Sequence, residues 1–177
     1  YRVAMLRHRA PQLAVTVGEM ETALHRGLGD MPPPAPVFIG GLARAGSTIL
    51  LEVLAGLPGV GSHRYRDRAF PFAPTWWRGV TRRTLGAGAP AEGRAHGDRL
   101  RVTLDSPEAA DEPLWQAFFP PRRPVAAEEN HPDFLRFYRA HLHKLARTEG
   151  AQRLVLKNNE LVGRIPWLAK AFPGARF

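Results

Sequence analysis

The sequence predicts an α/β fold of three layers, in which helices cover both faces of a parallel sheet. Two well-separated segments, residues 37–57 and 154–172, each combine a short apolar run, a loop and a helix with several apolar residues. A third strand is predicted to begin at residues 175–177, after Pro173-Gly174. Strands that alternate with helices are typical of a parallel sheet, because parallel neighbours need a helix-length crossover.

The first strand is predicted at Val37–Ile39, and Ser47-Thr48 opens the helix Ile49–Leu57. From Gly41, the loop between them has the spacing G-x-x-x-x-G followed by Ser-Thr. This is the pattern of a phosphate-binding P-loop in which Ser47 takes the place of the usual lysine. Such a loop directs backbone N–H groups and a helix N-terminus at an anion.

The cation of this loop is Arg44, whose guanidinium suits a two-pronged contact with a phosphate or a sulfonate. In an NTPase the P-loop lysine reaches the β- and γ-phosphates, and the neighbouring hydroxyl holds Mg²⁺. A loop that keeps the phosphate cradle but moves the cation indicates a nucleotide without a triphosphate and without Mg²⁺. The predicted nucleotide contacts are Gly41, Leu42, Ala43, Arg44, Ala45, Gly46, Ser47 and Thr48.

A second strand is predicted at Leu154–Leu156, and it ends in the polar residues Lys157, Asn158 and Asn159. In open α/β sheets, ligands bind at the carboxyl ends of the strands. Pro166 is expected in the first turn of the following helix, where proline is tolerated. The inner face of that helix is predicted to consist of Ile165, Leu168, Ala169 and Phe172.

Both segments resemble those of sulfotransferases that use 3′-phosphoadenosine 5′-phosphosulfate (PAPS). The first, Phe-Ile-Gly-Gly-Leu-Ala-Arg-Ala-Gly-Ser-Thr-Ile-Leu-Leu, is similar to their 5′-phosphosulfate loop, usually Arg or Lys followed by Ser-Gly-Thr-Thr. Ala45 replaces the common serine and Ser47 the first threonine. The second, Leu-Lys-Asn-Asn with Arg-Ile-Pro and Phe-Pro-Gly-Ala-Arg-Phe, resembles the segment that carries the family's lysine.

The resemblance implies a fold like that of P-loop kinases and transfer of a sulfonate from PAPS to a hydroxyl or amine. The acceptor would be a carbohydrate, a lipid or a small metabolite, the product would be adenosine 3′,5′-bisphosphate (PAP), and no metal is required. The loop of Arg44 would hold the 5′-phosphosulfate. Lys157, supported by Asn158, would stabilise charge on the bridging oxygen.

The resemblance also implies that the C-terminal part of the catalytic fold is missing. In this family, the strand that begins at Phe177 leads to an Arg-Asp-Pro turn and a serine, which hold the 3′-phosphate. We therefore expect residues 1–177 to be the N-terminal portion of a single domain. Residues 1–30 are expected to form a helical extension that packs on it.

Four acids lie between Asp105 and Glu112 in an otherwise basic chain. Transfer to a hydroxyl needs a base, and a carboxylate beside an aromatic wall can have the raised pKa that suits this role. The resemblance favours Glu112 and then Asp111, because many such enzymes use a glutamate. The alternative is that these acids cap and charge a helix. His63 is a further candidate base.

Two loops and a helix are predicted in the segments between the two motifs. Residues 62–77 are dense in cations and aromatic rings, and are predicted to be either a binding loop or a surface loop anchored by those rings. Residues 79–100 are predicted to be flexible, as a lid that orders with ligand. A helix is predicted from an Asn130 N-cap to Gly150. Its His141 and His143 point to different faces, so we expect no shared metal.

The composition bounds the possible partners. The 177 residues include 25 Lys+Arg and 16 Asp+Glu, and the net charge of +9 favours anionic ligands. The arginines form no run of five or six, so a basic field around an anionic cofactor explains the charge as well as nucleic acid does. The lack of cysteine excludes disulfides and cysteine-based zinc sites. No stretch approaches the roughly 20 apolar residues of a membrane span, and we expect a cytoplasmic protein.

Two other functions remain open at this point. A divergent P-loop kinase or NTPase would need a loop lysine and a strand-end aspartate for Mg²⁺, and the sequence has neither at those positions. A non-catalytic basic domain would bind DNA or RNA with a steep salt dependence and without competition by PAP. We expect an acceptor substrate rather than nucleic acid, and we leave a homo-oligomer open.

Overall fold

The structure is a computed structural model that describes residues 9–25, 35–86 and 102–177. Its helices are α1 (Pro11–Leu24), α2 (Ser47–Ala55), α3 (Pro74–Leu85), α4 (Glu112–Gln116), α5 (Pro132–Glu149) and α6 (Ile165–Ala171). Its strands are β1 (Val37–Ile39), β2 (Val60–Gly61) and β3 (Arg153–Lys157). Short 3₁₀ turns span Tyr65–Arg68 and Asn159–Arg164.

The three strands form a parallel sheet with β3 in the middle. β1 pairs with one edge of β3 and brings Ile39 opposite Lys157. β2 pairs with the other edge and brings Gly61 opposite Leu154. The pairings confirm the strands predicted at residues 37–39 and 154–156.

The chain returns to the sheet at its last residues. Arg176 pairs in parallel with Val37 on the side of β1 away from β3. The Phe38 N–H donates to the Arg176 carbonyl oxygen at 2.8 Å, and the Arg176 N–H donates to that of Pro36 at 3.0 Å. This pairing confirms the strand start predicted at residues 175–177.

Side chains of the sheet alternate between two buried clusters, because successive strand residues point to opposite faces. Phe38 and Leu156 join the larger cluster, which includes residues of α5 and α6. Ile39 and Val155 pack with Leu51 of α2 in a smaller cluster. Helices therefore cover both faces, which confirms the three-layer α/β prediction.

The strand β2 lies in a part of the chain where the sequence predicted no strand. Gly61 belongs to the sheet, where a Cβ atom would lie 2.7 Å from the Cβ of Glu149 and 2.8 Å from that of Ala151. Glycine is needed here for close approach to the end of α5, and a glycine in a short strand leaves little pattern to recognise.

The segment 62–100 corrects two predictions. It contains the 3₁₀ turn Tyr65–Arg68 and the helix α3, where loops without regular structure were expected. The inner face of α3 includes Arg78, a charged residue that is buried and forms an ion pair with Asp67. A pattern of apolar residues therefore could not reveal the helix. The rest of the predicted lid, residues 87–100, lies outside the described residues.

Helix ends and faces differ from expectation in detail. The N-cap of α5 is His131 rather than Asn130, and Pro132 begins the helix, since its fixed φ favours the first helical position. Gly150 ends α5 with a φ of 64°, as predicted. In α6, Pro166 lies in the first turn as predicted, but Ala169 is exposed.

Helix α1 packs against α5 through a buried ion pair, within the range predicted to be a helical extension. Lys144 Nζ lies 3.1 Å from Glu21 Oε2, and both side chains are fully buried. Glu21 Oε1 also accepts from the Trp76 N–H at 2.7 Å. Residues 1–8 and 26–30 of the predicted extension lie outside the described residues. Among the helices described, none combines the length and hydropathy that a membrane crossing requires.

We expect Glu21→Gln to lower the free energy of unfolding by about 3–5 kcal/mol, because it leaves the Lys144 ammonium buried without its counter-charge. Urea unfolding followed by tryptophan fluorescence measures the change. Glu19→Gln, on an exposed position of the same helix, is the matched control. A loss below about 1 kcal/mol would contradict a structural role for the pair.

Candidate active site at the carboxyl edge of the sheet

The segments that follow the three strands leave the sheet at one edge, because parallel strands share their carboxyl ends. These segments are the Arg44 loop after β1, the segment of His63 after β2, and Lys157-Asn158 at the end of β3. The Asn158 N–H donates to the Ile39 carbonyl oxygen at 3.2 Å and so extends the pairing to this edge. The structure thus brings the first and second motifs side by side.

The loop after β1 presents an arginine and a helix N-terminus. Arg44 is exposed and has a φ of 68°, a left-handed conformation that is costly for a residue with a Cβ. Gly46 also has a positive φ, 78°, and, as the N-cap of α2, it has no side chain that could cap the helix. The first backbone N–H groups of α2 have no acceptor within the helix itself. The loop therefore fits an anionic group.

The end of β3 is held through Asn158. This residue is buried, and its Oδ1 accepts from the Glu160 N–H at 2.9 Å. Its Nδ2 donates to Glu112 Oε2 at 2.6 Å. Asn158 therefore connects the first predicted base to the strand end that carries Lys157, which is itself half-buried.

Glu112 is bound by an arginine that the sequence analysis gave no role. Arg164 Nη1 donates to Glu112 Oε2 at 2.7 Å, and Nη2 donates to Oε1 at 3.0 Å. The Glu112 side chain is 24% exposed and that of Arg164 only 1%. The Arg-Ile-Pro match includes Arg164, but its partner lies 52 positions away, so no spacing rule could have paired them.

Asp111 faces the interior, although it is adjacent to Glu112 in the chain. It is 1% exposed, and Tyr138 donates its hydroxyl to Oδ2 at 3.2 Å. Burial raises the pKa of Asp111, and the charge of nearby Glu112 raises it further. Oδ1 has no hydrogen-bond partner among the residues the structure describes.

His63 is also buried, at 2% exposure. Its ring stacks on that of His141 with centroids 5.1 Å apart, and the two Nε2 atoms are 3.3 Å apart. Its Nδ1 lies 3.6 Å from Asp67 Oδ2. Burial lowers the pKa of His141 well below its usual range, and the nearby His63 lowers it further.

Asp67 connects His63 to a buried group of ion pairs. Arg78 binds both Asp67 and Glu149, and Arg64 binds Glu149 as well. Burial by itself would raise the pKa of Asp67, but the hydrogen bonds and charge of Arg78, together with the nearby His63 ring, outweigh that effect and hold the pKa well below its usual range. The group fixes residues 62–67 beside α3 and α5.

Within residues 9–25, 35–86 and 102–177, no three or more histidine, cysteine, aspartate or glutamate side chains form a group that could hold a metal ion. His141 and His143 are both buried on α5.

A sequence model described as the sulfotransferase family matches residues 36–177. The chain belongs to the sulfotransferase family. The match begins just before β1 and includes the Arg44 loop, Glu112 and Lys157. The two separated motifs on which the resemblance depended therefore lie within one family domain.

A solved structure supports the fold. The chain resembles the sulfotransferase STF1 from Mycobacterium tuberculosis H37Rv with a TM-score of 0.54 and 19% sequence identity. The match covers 89% of this chain and 48% of STF1, so the chain spans about half the length of that protein. At this identity the likeness shows the fold alone. The comparison with curated proteins gives no match.

Stability is expected to fall as the pH drops below about 6.5, the usual pKa of histidine. Because the pKa of His141 is lowered in the folded protein, the unfolded chain takes up a proton that the folded chain does not. The free energy of unfolding should therefore decrease by up to about 1.4 kcal/mol per pH unit.

Urea unfolding at several pH values between 5 and 7.5 measures this slope. His141→Phe keeps an aromatic ring beside His63 and should flatten the slope, whereas His143→Gln on the same helix is the control. Equal slopes in wild type and His141→Phe would show that His141 does not cause the pH dependence.

Proposed function

We propose that this protein transfers a sulfonate group from PAPS to a hydroxyl or amine of an acceptor. The observation that carries the proposal is the pairing of Ile39 with Lys157. This pairing places the Arg44 loop, which has the pattern of a phosphate-binding loop, next to the lysine at the end of β3. Membership of the sulfotransferase family supports the reaction class. The identity of the sulfonate donor and the class of the acceptor are what we propose beyond that reaction class.

The loop after β1 is proposed to bind the 5′-phosphosulfate end of PAPS. The exposed Arg44 offers a two-pronged, charge-assisted contact. The uncapped N-terminus of α2 offers backbone N–H groups and the positive end of a helix dipole. PAP and PAPS carry the anionic groups that such a site favours.

Lys157 is proposed to stabilise the charge that develops as the sulfonate leaves. PAPS, when bound, supplies an activated sulfonate whose leaving group is PAP. A cation at the end of β3, next to the loop that binds phosphate, would favour the charged leaving oxygen. Asn158, which is buried and bonded on both sides of its amide, would hold the lysine's backbone in place.

Glu112 is proposed as the base that takes the proton of the acceptor. Of the three candidates, Asp111 and His63 are almost fully buried, whereas part of the Glu112 carboxylate is exposed. A general base must come within hydrogen-bond reach of the group it deprotonates. This requirement favours Glu112, with Asp111 and His63 as the next candidates.

The proposal includes the location of the enzyme, its acceptor and its partners. We infer a cytoplasmic location and an acceptor that is a carbohydrate, a lipid or a small metabolite. A homo-oligomer is compatible with the proposal. Nucleic acid is not proposed as a partner.

Arg44→Ala should weaken the binding of PAP by about 2–4 kcal/mol, because a charged clamp on a phosphate is lost. Calorimetric titration of PAP, with and without Mg²⁺ and beside ATP, measures the affinity. Arg122→Ala is the matched control, since Arg122 is exposed and also has a positive φ of 58°. Unchanged affinity in Arg44→Ala, or binding of ATP only with Mg²⁺, would refute the loop assignment.

Glu112→Gln should lower kcat by about 10²–10⁴-fold, the usual contribution of a general base, and leave the affinity for PAP intact. A coupled assay of PAP release with a panel of hydroxyl and amine acceptors measures turnover. Glu160→Gln is the control, because Glu160 is a carboxylate that lies just beyond the end of β3. Wild-type turnover in Glu112→Gln would move the base to Asp111 or His63.

A further inference from the structure

Arg164 is a buried cation in direct contact with the proposed base. Its guanidinium lies 4.5 Å from the centroid of the Trp115 ring and forms two hydrogen bonds to the Glu112 carboxylate. The remaining guanidinium nitrogen, Nε, has no hydrogen-bond partner in the described part of the chain. The ring on one side and the carboxylate at the tip therefore fix the position of the guanidinium.

This arrangement is costly if it serves stability alone. The attraction of a single partner seldom offsets the free energy needed to desolvate an arginine. Hydrophobic replacements of buried ion pairs are therefore often neutral or stabilising. Here the arginine is almost fully buried, whereas its partner Glu112 is partly exposed and contacts Asn158 at the end of β3. The pair therefore presents one carboxylate, in a fixed orientation, at the candidate site.

The same carboxylate connects two other elements of the site. Glu112 Oε2 accepts from Arg164 Nη1 and also from Asn158 Nδ2. Asn158 follows Lys157 directly, and its N–H donates to the Ile39 carbonyl oxygen. A change in the orientation of Glu112 would therefore be transmitted to the strand end that carries Lys157.

We propose that Arg164 is a positioning residue, which holds the Glu112 carboxylate against Asn158 and so sets the geometry of both Glu112 and Lys157. The inference rests on the proposed function. Arg164 acts through Glu112 and takes no proton from the acceptor. Its planar fork is essential to this role, because a lysine ammonium cannot make the paired contact and stacks less well on Trp115.

The test compares the full-length variants Arg164→Lys, Glu112→Gln and the double variant with wild type. Arg164→Lys should lower kcat by about 10- to 100-fold, comparable to the loss of an oriented contact, and change the Kd for PAP less than twofold. In the Glu112→Gln background, Arg164→Lys should lower kcat by less than about threefold, because residues that act as one unit are not additive.

Arg139→Lys is the matched control. Arg139 also lies over an aromatic ring, that of Phe172, and donates to the Ala171 carbonyl oxygen rather than to the candidate base. Its replacement should leave kcat within about twofold of wild type. If Arg139→Lys lowers kcat as strongly as Arg164→Lys, the effect is general to stacked arginines and the proposal is wrong.

A second double variant keeps the proposal testable if Arg164→Lys does not fold. Glu112→Gln with Arg164→Met leaves no unpaired buried charge and keeps an apolar side chain on Trp115. Its kcat should equal that of Glu112→Gln alone. A further loss of more than about tenfold would mean that Arg164 acts independently of Glu112, which overturns the proposal.

Hydrogen exchange of the ligand-free protein separates this inference from the proposed function. Arg164→Lys and Glu112→Gln should each accelerate amide exchange in the peptide spanning residues 157–161, and Arg139→Lys should not. If wild type transfers no sulfonate but both variants accelerate this exchange, the proposed function fails and the positioning role stands. Unchanged exchange and unchanged kcat in Arg164→Lys would overturn the positioning role.

Discussion

The parallel pairing of β1 with β3 is the interaction on which the rest of the molecule depends. Ile39 lies opposite Lys157, so two segments far apart in the chain leave the sheet side by side. Burial fixes this register, because a shift by one residue would turn either Phe38 or Leu156 away from the larger core. The loop of Arg44 and the strand end of Lys157 are neighbours only in that register.

Buried ion pairs hold the segment that follows β2, in addition to the apolar contacts of Phe70 and Phe72. Arg78 with Asp67 and Glu149 fixes the segment after β2 against α3 and α5. Removing such charges from water is unfavourable in free energy, and leaving one of them buried without its partner is still more unfavourable. They therefore restrict the alternative arrangements of a segment that contains few regular apolar positions.

Asp111 and Glu112 illustrate how the fold gives neighbouring residues different chemistry. The start of α4 directs Asp111 inward, toward Tyr138, where burial raises its pKa. It directs Glu112 toward Arg164 and Asn158 at the edge of the sheet. Two adjacent carboxyl groups thus acquire different environments, which is how one site can contain carboxyl groups with separate roles.

The sequence by itself determined the α/β class, the strands Val37–Ile39 and Leu154–Leu156, and the two motifs that indicated the family. These signals are local, since apolar runs, glycine spacing and strand ends are legible within a few residues. Only the tertiary structure decided that Gly61 lies in a strand, that residues 74–85 form a helix, and that Arg164 binds Glu112. Those features depend on partners distant in the chain and on charges buried in pairs, which leave no periodic pattern in the sequence.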